Sequence, residues 1–120
     1  MNTHLAVYRD QQGMETALEE LKGLKTRYDR VIVHDKRKTF NTILIFTLEL
    51  GFMLDCAEAI ILGALERKES RGAHTRTDMP DRDDSNWLKH ILIAKNEDGK
   101  PAVTYQDVTI TQWEPQVRSY

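Results

Sequence analysis

Ile43 to Leu65, ILIFTLELGFMLDCAEAIILGAL, is the most apolar stretch of the chain, and its reading decides the fold. By length alone it could span a bilayer. Three acids, Glu49, Asp55 and Glu58, interrupt it. At helical pitch Asp55 and Glu58 fall about 240° and 180° around from Glu49, so no single stripe gathers them toward a pore. Aromatic belts do not flank the segment. It therefore reads as the central helix of a soluble bundle, buried on most sides. Thr39 or Asn41 caps its start, Gly51 permits a close helix approach or a slight bend, and Cys56 becomes a small buried apolar residue.

Working upstream, Met14, Ala17, Leu18, Leu21, Leu24 and Tyr28 recur at steps of three and four, with Glu15, Glu19, Glu20, Lys22, Lys25 and Arg27 between them. That spacing predicts an amphipathic helix over residues 11–28. Asp10 is its cap, Glu15 sits near its positive end, and Lys25 and Arg27 sit near its negative end. Leu5 and Tyr8 repeat the three-residue step and suggest a short preceding helix. Val31-Ile32-Val33 and the polar run His34 to Lys38 read as an extended connector.

Downstream, Glu66 to His90 carries twelve charged residues in twenty-five, six of each sign, with Gly72 and Pro80 as breakers. Such a segment cannot form a core. Ile91–Ala94, Ala102–Tyr105 and Val108–Ile110 read as strands, and Asp98-Gly99 between the first two is a hairpin signal. The tail from Trp113 to Tyr120 is expected to be extended and docked by Trp113.

The 120 residues suit one domain or a piece of a larger protein. Seventeen Lys and Arg against nineteen Asp and Glu leave a net charge of −2, which argues against nucleic-acid binding by counterion release. One cysteine excludes an internal disulfide framework and a zinc site of several thiolates. The first ten residues lack the basic and apolar regions of a secretory signal. His74 and His90 with Asp78, Asp81, Asp83 and Asp84 offer metal-ligand chemistry but no helix-spaced pair of ligands, so no metal site is expected. Ser70, His74 and Asp78 contain the types of a nucleophile, a base and an orienting acid, on a filter too weak to assign catalysis. The scattered glycines form neither a dinucleotide nor a phosphate loop, so no flavin or nucleotide is cradled by this chain alone.

From Arg67 to Arg76 the plain reading is a helix end whose basic residues meet the last carbonyls, with Gly72 as a left-handed cap. The alternating charges are expected to dock on matching charges, in the bundle or in another domain. The ordered run Glu69-Ser70-Arg71-Gly72-Ala73-His74, then Arg76, Asp78, Pro80 and Arg82 to His90, resembles the C-terminal signature of the flavoprotein subunit of succinate dehydrogenase and fumarate reductase. L-aspartate oxidase shares it in weaker form, and the Trp87-Leu88-Lys89-His90 form is closer to the first two. Asn41 to Arg67 resembles that family's main C-terminal helix, and Val7-Tyr8-Arg9 the motif before its first complete helix.

The resemblance implies an all-α, spectrin-repeat-like three-helix bundle over about residues 1–70, followed by a charged signature loop and β tail over about 71–120. It implies a fragment that is inactive by itself, from a subunit that interconverts succinate and fumarate through FAD and passes electrons to an iron-sulfur subunit. Catalytic and FAD-holding residues would lie upstream of Met1, leaving this chain with no cofactor of its own. Arg71, His74 and Arg76 are expected to dock on the upstream FAD-binding domain. The expected setting is cytoplasmic, peripheral at the inner face of the cell membrane through partner subunits, or on the mitochondrial matrix side. An uncovered seam at Leu5, Val7 and Tyr8 would let the isolated piece self-associate. A stand-alone helical interaction module, or the equivalent domain of aspartate oxidase, is the alternative.

Overall fold

The computed structural model describes residues 1–116, an elongated body of 56 × 31 × 31 Å. In chain order the elements are β1 (Tyr8–Arg9), α1 (Gln11–Tyr28), α2 (Thr42–Glu66), β2 (Thr75–Arg76), α3 (Asp84–Trp87), β3 (Lys89–Lys95) and β4 (Pro101–Asp107). Asp10 caps α1 by accepting from the Gly13 amide at 2.7 Å, and Lys25 and Arg27 occupy its last turn, as the macrodipole favours. Asn41, rather than Thr39, caps α2, accepting from the Leu44 amide at 3.0 Å.

The two long helices run antiparallel, since Tyr28 at the end of α1 meets Gly51 while Lys25, one turn earlier, meets Asp55 and Glu58. Their seam holds the core: Met14, Ala17 and Leu21 from α1 and Leu54, Ile61 and Ala64 from α2 are buried, and Leu5, Leu18, Tyr28, Ala57 and Leu65 pack around them. A Cβ built on Gly51 would clash with the Tyr28 hydroxyl and lie 2.8 Å from its Cζ, so glycine leaves the room that the Tyr28 side chain fills.

The three helices and the small antiparallel hairpin of the described residues agree with the expected helical bundle with a hairpin, although the third helix, α3, is a single four-residue turn and the hairpin lies along α2. The central helix, however, is not buried on most sides. Tyr28 ends α1 beside Gly51, so the first two turns of α2 run on with no helix beside them among the described residues, and Ile43, Leu44, Ile45, Phe46, Leu48 and Leu50 are exposed. Cys56, expected inside, is exposed. Among the described residues no helix is long and apolar enough to cross a membrane.

The expected helix around Leu5 and Tyr8 is instead one turn, closed by Leu5 N–H to Met1 C=O at 2.7 Å, followed by β1. β1 pairs in parallel with β2, placing Tyr8 opposite Thr75 and Arg9 opposite Arg76. β3 and β4 form the expected hairpin, registered from Lys89 opposite Asp107 to Lys95 opposite Pro101. Its turn is closed by Asn96, with Gly99 at φ +74°. Val108–Ile110, expected to be a strand, lies past the end of β4. Trp113 is 79% exposed, so among the described residues it does not dock the tail as expected, while the expectation for Val117 to Tyr120 lies outside the described residues.

Candidate functional site: the charged loop

α2 ends at Glu66, and the chain continues extended through Arg67, so alternate residues fall on one side. Arg67, Glu69 and Arg71 are thereby brought together around a carboxylate that is fully buried. Glu69 Oε1 accepts from Arg67 Nη1 at 2.5 Å and Arg71 Nε at 2.6 Å. Its Oε2 accepts from Arg71 Nη2 at 2.9 Å and the Asp83 amide at 2.8 Å. Burial alone raises the Glu69 pKa, but Arg71, the Asp83 amide and Arg67 outweigh it and hold the carboxyl below its ordinary value. Arg71 also donates to Asp84, which Arg82 grips from the other side.

Arg76 is the second hub and is 0% exposed. It donates in bidentate fashion to Asp78, at 2.8 and 2.6 Å, and reaches Gln11 Oε1 at 3.1 Å and the Arg67 carbonyl at 3.2 Å. Asp78 in turn accepts from the Gln11 amide at the start of α1. The Arg76 guanidinium, aided by that amide, pulls the Asp78 carboxyl down to about 2. The hub thus ties the loop to the beginning of α1, while Arg67 ties it to the carbonyls of Trp87 and Lys89 at 3.0 and 2.7 Å. Lys89 Nζ lies 4.6 Å from the Trp87 ring centre and 4.3 Å from that of Tyr105, a cation held between two aromatic faces.

Gly72 has the expected positive φ of +61°, for a different reason. It lies six residues beyond the end of α2, in a two-residue turn closed by Arg71 and His74 hydrogen bonding to each other at 2.9 and 3.0 Å. Of the residues expected to dock, Arg76 has no surface to offer, Arg71 retains 26% side-chain exposure, and His74 is half-buried. Burial, with Arg9 close by, lowers the His74 pKa.

Ser70 is a brace: its Oγ lies 2.8 Å from the Met79 carbonyl and accepts from the Arg76 amide at 2.8 Å. With Asp78 committed to Arg76, Ser70, His74 and Asp78 do not assemble into a catalytic triple. Asp83 and Asp84 are taken by Asn86 and by arginines, and among the described residues no three His, Cys, Asp or Glu are placed to hold a metal.

Nor do the residues fit a flavin. Gly72 and Gly99 stand in open tight turns, and the room at Gly51 is filled by Tyr28, so neither supplies a backbone cradle for a pyrophosphate. The cavity of about 380 Å³ between Lys25, Tyr28, Leu48, Phe52 and Asp55 is an open cleft at the helix crossing with no such cradle.

The family model described as fumarate reductase flavoprotein C-term matches residues 1–120. The chain belongs to this family. The fumarate reductase flavoprotein subunit of Haemophilus influenzae is 47% identical over all of this chain, and the succinate dehydrogenase flavoprotein subunit of Rickettsia bellii 37% identical over 99% of it. An Escherichia coli quinol fumarate reductase structure superposes with a TM-score of 0.92 at 39% identity, covering 98% of this chain and 20% of that one. The chain spans about one fifth of the length of the curated relatives it matches, 20% in both cases.

Within this C-terminal family fold, sequence reasoning missed Glu69 and Arg67 as organising residues. The signal was available in the alternation Arg67-x-Glu69-x-Arg71, which converges three charges only if the segment is extended. The pairing of Arg9 with Arg76 could not be read from the sequence, because the two strands are more than sixty residues apart.

Proposed function

We propose that this chain is the C-terminal docking domain of a flavoprotein subunit that interconverts succinate and fumarate through FAD and passes electrons to an iron-sulfur subunit. The observation that carries the reading is the family match over the whole chain together with its one-fifth share of relatives named as flavoprotein subunits. The site chemistry supports it: the charged loop spends its carboxylates and guanidiniums on holding its own shape, which suits a docking element and leaves no residue for a reaction step. The FAD-binding domain is the upstream part of the same subunit. Arg71 and His74 face it, and Arg76 holds the loop that presents them.

The uncovered flank of α2, with Phe46, Phe52 and Met53 each more than 60% exposed, packs against a further helix contributed by that upstream part and completes the three-helix bundle. Left uncovered, the same flank drives self-association of the isolated chain. The assembled enzyme sits peripherally at the inner face of the cell membrane, or on the matrix side in mitochondria, through its partner subunits.

The test is the intact mass and visible spectrum of the native protein carrying this sequence. A chain several times longer with a flavin band and a co-purifying iron-sulfur subunit is expected. A colourless chain of this length alone overturns the reading in favour of a free-standing module, and a flavin band with no iron-sulfur partner redirects it to an aspartate oxidase.

A further inference from the structure

Phe40, in the connector between α1 and α2, is the one residue other than glycine with a positive φ among the described residues, at +52°. That left-handed backbone strains any residue with a Cβ, and a turn that served the fold alone would favour glycine or asparagine there. The side chain gains no burial in exchange: it is 88% exposed, more than any other large apolar side chain of the described residues. The turn around it is nevertheless held firmly. Arg37 grips the Asp35 carboxylate through Nε and Nη2 at 2.7 to 3.1 Å, and the Arg37 amide donates to it at 3.0 Å. Asn41 Nδ2 donates to the carbonyls of Asp35 and Arg37 at 2.8 and 3.2 Å while its Oδ1 caps α2. A braced turn thus presents an aromatic ring to solvent, and nothing packed against it within the described residues accounts for the strain.

The same connector is cationic. Residues 27–40 carry Arg27, Arg30, Lys36, Arg37 and Lys38 against Asp29 and Asp35, three positive charges in excess within a chain whose net charge is −2. Arg37 is paired with Asp35, whereas Arg27, Arg30, Lys36 and Lys38 are exposed and meet no carboxylate among the described residues. Its place in the fold also bears on the partner. The charged loop is tied to the start of α1 and the end of α2, and the connector joins their other ends, so the two lie at opposite poles, about 37 Å apart along the 25 residues of α2.

We propose that Phe40 is the aromatic anchor through which this chain meets the iron-sulfur subunit, its ring entering an apolar pocket whose rim carries the carboxylates that answer Lys36 and Lys38. This rests on the reading given above, that the chain is part of a flavoprotein subunit with such a partner. Interfaces concentrate aromatic residues at a desolvated centre inside a polar rim, and a side chain already held in its docked position loses less freedom on binding. The surplus charge selects the chemistry of that rim: acids are attracted, whereas a basic or wholly apolar surface leaves four cations unanswered. Position selects the subunit. On the same reading the flavin domain takes the charged loop, which leaves the far pole to the second subunit.

The experiment measures the dissociation constant between the full-length, flavin-loaded flavoprotein subunit and the iron-sulfur subunit, with and without Phe40→Gly. Glycine suits the +52° backbone, so thermal unfolding of the flavoprotein subunit should be preserved. The dissociation constant should rise at least about tenfold, the scale of a lost aromatic anchor. Lys36→Glu together with Lys38→Glu should also weaken association and remove much of its salt dependence. An unchanged dissociation constant in Phe40→Gly overturns the proposal.

Should Phe40→Gly yield no folded subunit, the unsubstituted native complex is treated with a zero-length carbodiimide and the links are mapped by mass spectrometry. Lys36 or Lys38 joined to an Asp or Glu of the iron-sulfur subunit is expected, and links from them only within the flavoprotein subunit, or none at all, overturn the anchor. Flavin absorbance and iron-sulfur content are recorded on the same samples. An unchanged affinity with both present refutes the anchor alone, whereas absence of the flavin or of the iron-sulfur partner refutes the functional reading on which it rests.

Discussion

Glu69→Gln is the sharpest test of how the charged loop is held. The substitution keeps the shape of a fully buried side chain and removes its charge. Both oxygens of Glu69 accept two hydrogen bonds, from Arg67 and Arg71 on one and from Arg71 and the Asp83 amide on the other. A glutamine keeps one oxygen and presents an NH₂ to the other pair of donors, so either orientation loses two bonds and sets donor against donor. At about 1.5–3 kcal/mol for each bond involving a charged group, and with no solvent to screen the loss, the cost is about 3–5 kcal/mol, the range for breaking a buried ion pair.

Amide hydrogen exchange reads this locally. The Ser70 amide, bonded to the Asp81 carbonyl, and the Arg76 amide, bonded to Ser70 Oγ, report loop opening without touching Glu69. At 1.4 kcal/mol per tenfold, their exchange should speed up by about 100- to 3,000-fold, while amides within α1 keep their rates. Glu19→Gln, which breaks an exposed pair with Lys22, should leave the same amides unchanged. If the two variants exchange alike at Ser70 and Arg76, Glu69 is not the hub described here.

Gly51→Ala drives a Cβ into the Tyr28 hydroxyl and to 2.8 Å from its Cζ, and should cost about 1–3 kcal/mol in thermal unfolding. Adding Tyr28→Phe removes the nearest contact and should recover part of the loss; no recovery would place the strain elsewhere. Asp78 provides a pH test. Its folded carboxyl, held at about 2 by Arg76, lies below its unfolded value of 3.8, so its contribution is complete above about pH 4 and disappears as pH falls toward 2. In an acid titration followed by circular dichroism, Asp78→Asn should be less stable at neutral pH and lose less on acidification. Parallel curves for the two proteins would show that the Arg76–Asp78 pair does not set the acid limit.

The local elements were legible because their causes are local. Three- and four-residue spacing of apolar side chains specified α1, a capping aspartate fixed its start, and Asp98-Gly99 between β-rich runs specified the hairpin. The acids within Ile43–Leu65 correctly turned that segment away from a membrane span, and two of them, Asp55 and Glu58, meet Lys25 of α1 across the helix crossing. The same apolarity misled on burial. Hydropathy shows that a helix wants covering on many sides but not whether the cover lies within this chain: Phe46 is exposed because α1 ends at Tyr28, and Cys56 is exposed although Asp55 and Glu58 on either side of it meet Lys25 of α1.

The signature loop divides in the same way. Its residue order resembles the flavoprotein family and carried the family assignment from sequence alone, as the match over residues 1–120 bears out. Which of its charges face inward was decided only by tertiary structure. Arg71 and Arg76 are alike in the sequence, two cations five residues apart. One keeps a partly exposed edge beside Asp84, and the other disappears beneath the start of α1. The physical reason is that an ion pair is chosen by distance in space, and the partners of Arg76 include Gln11, sixty-five residues away, while Arg9 stands opposite Arg76 only because β1 runs beside β2.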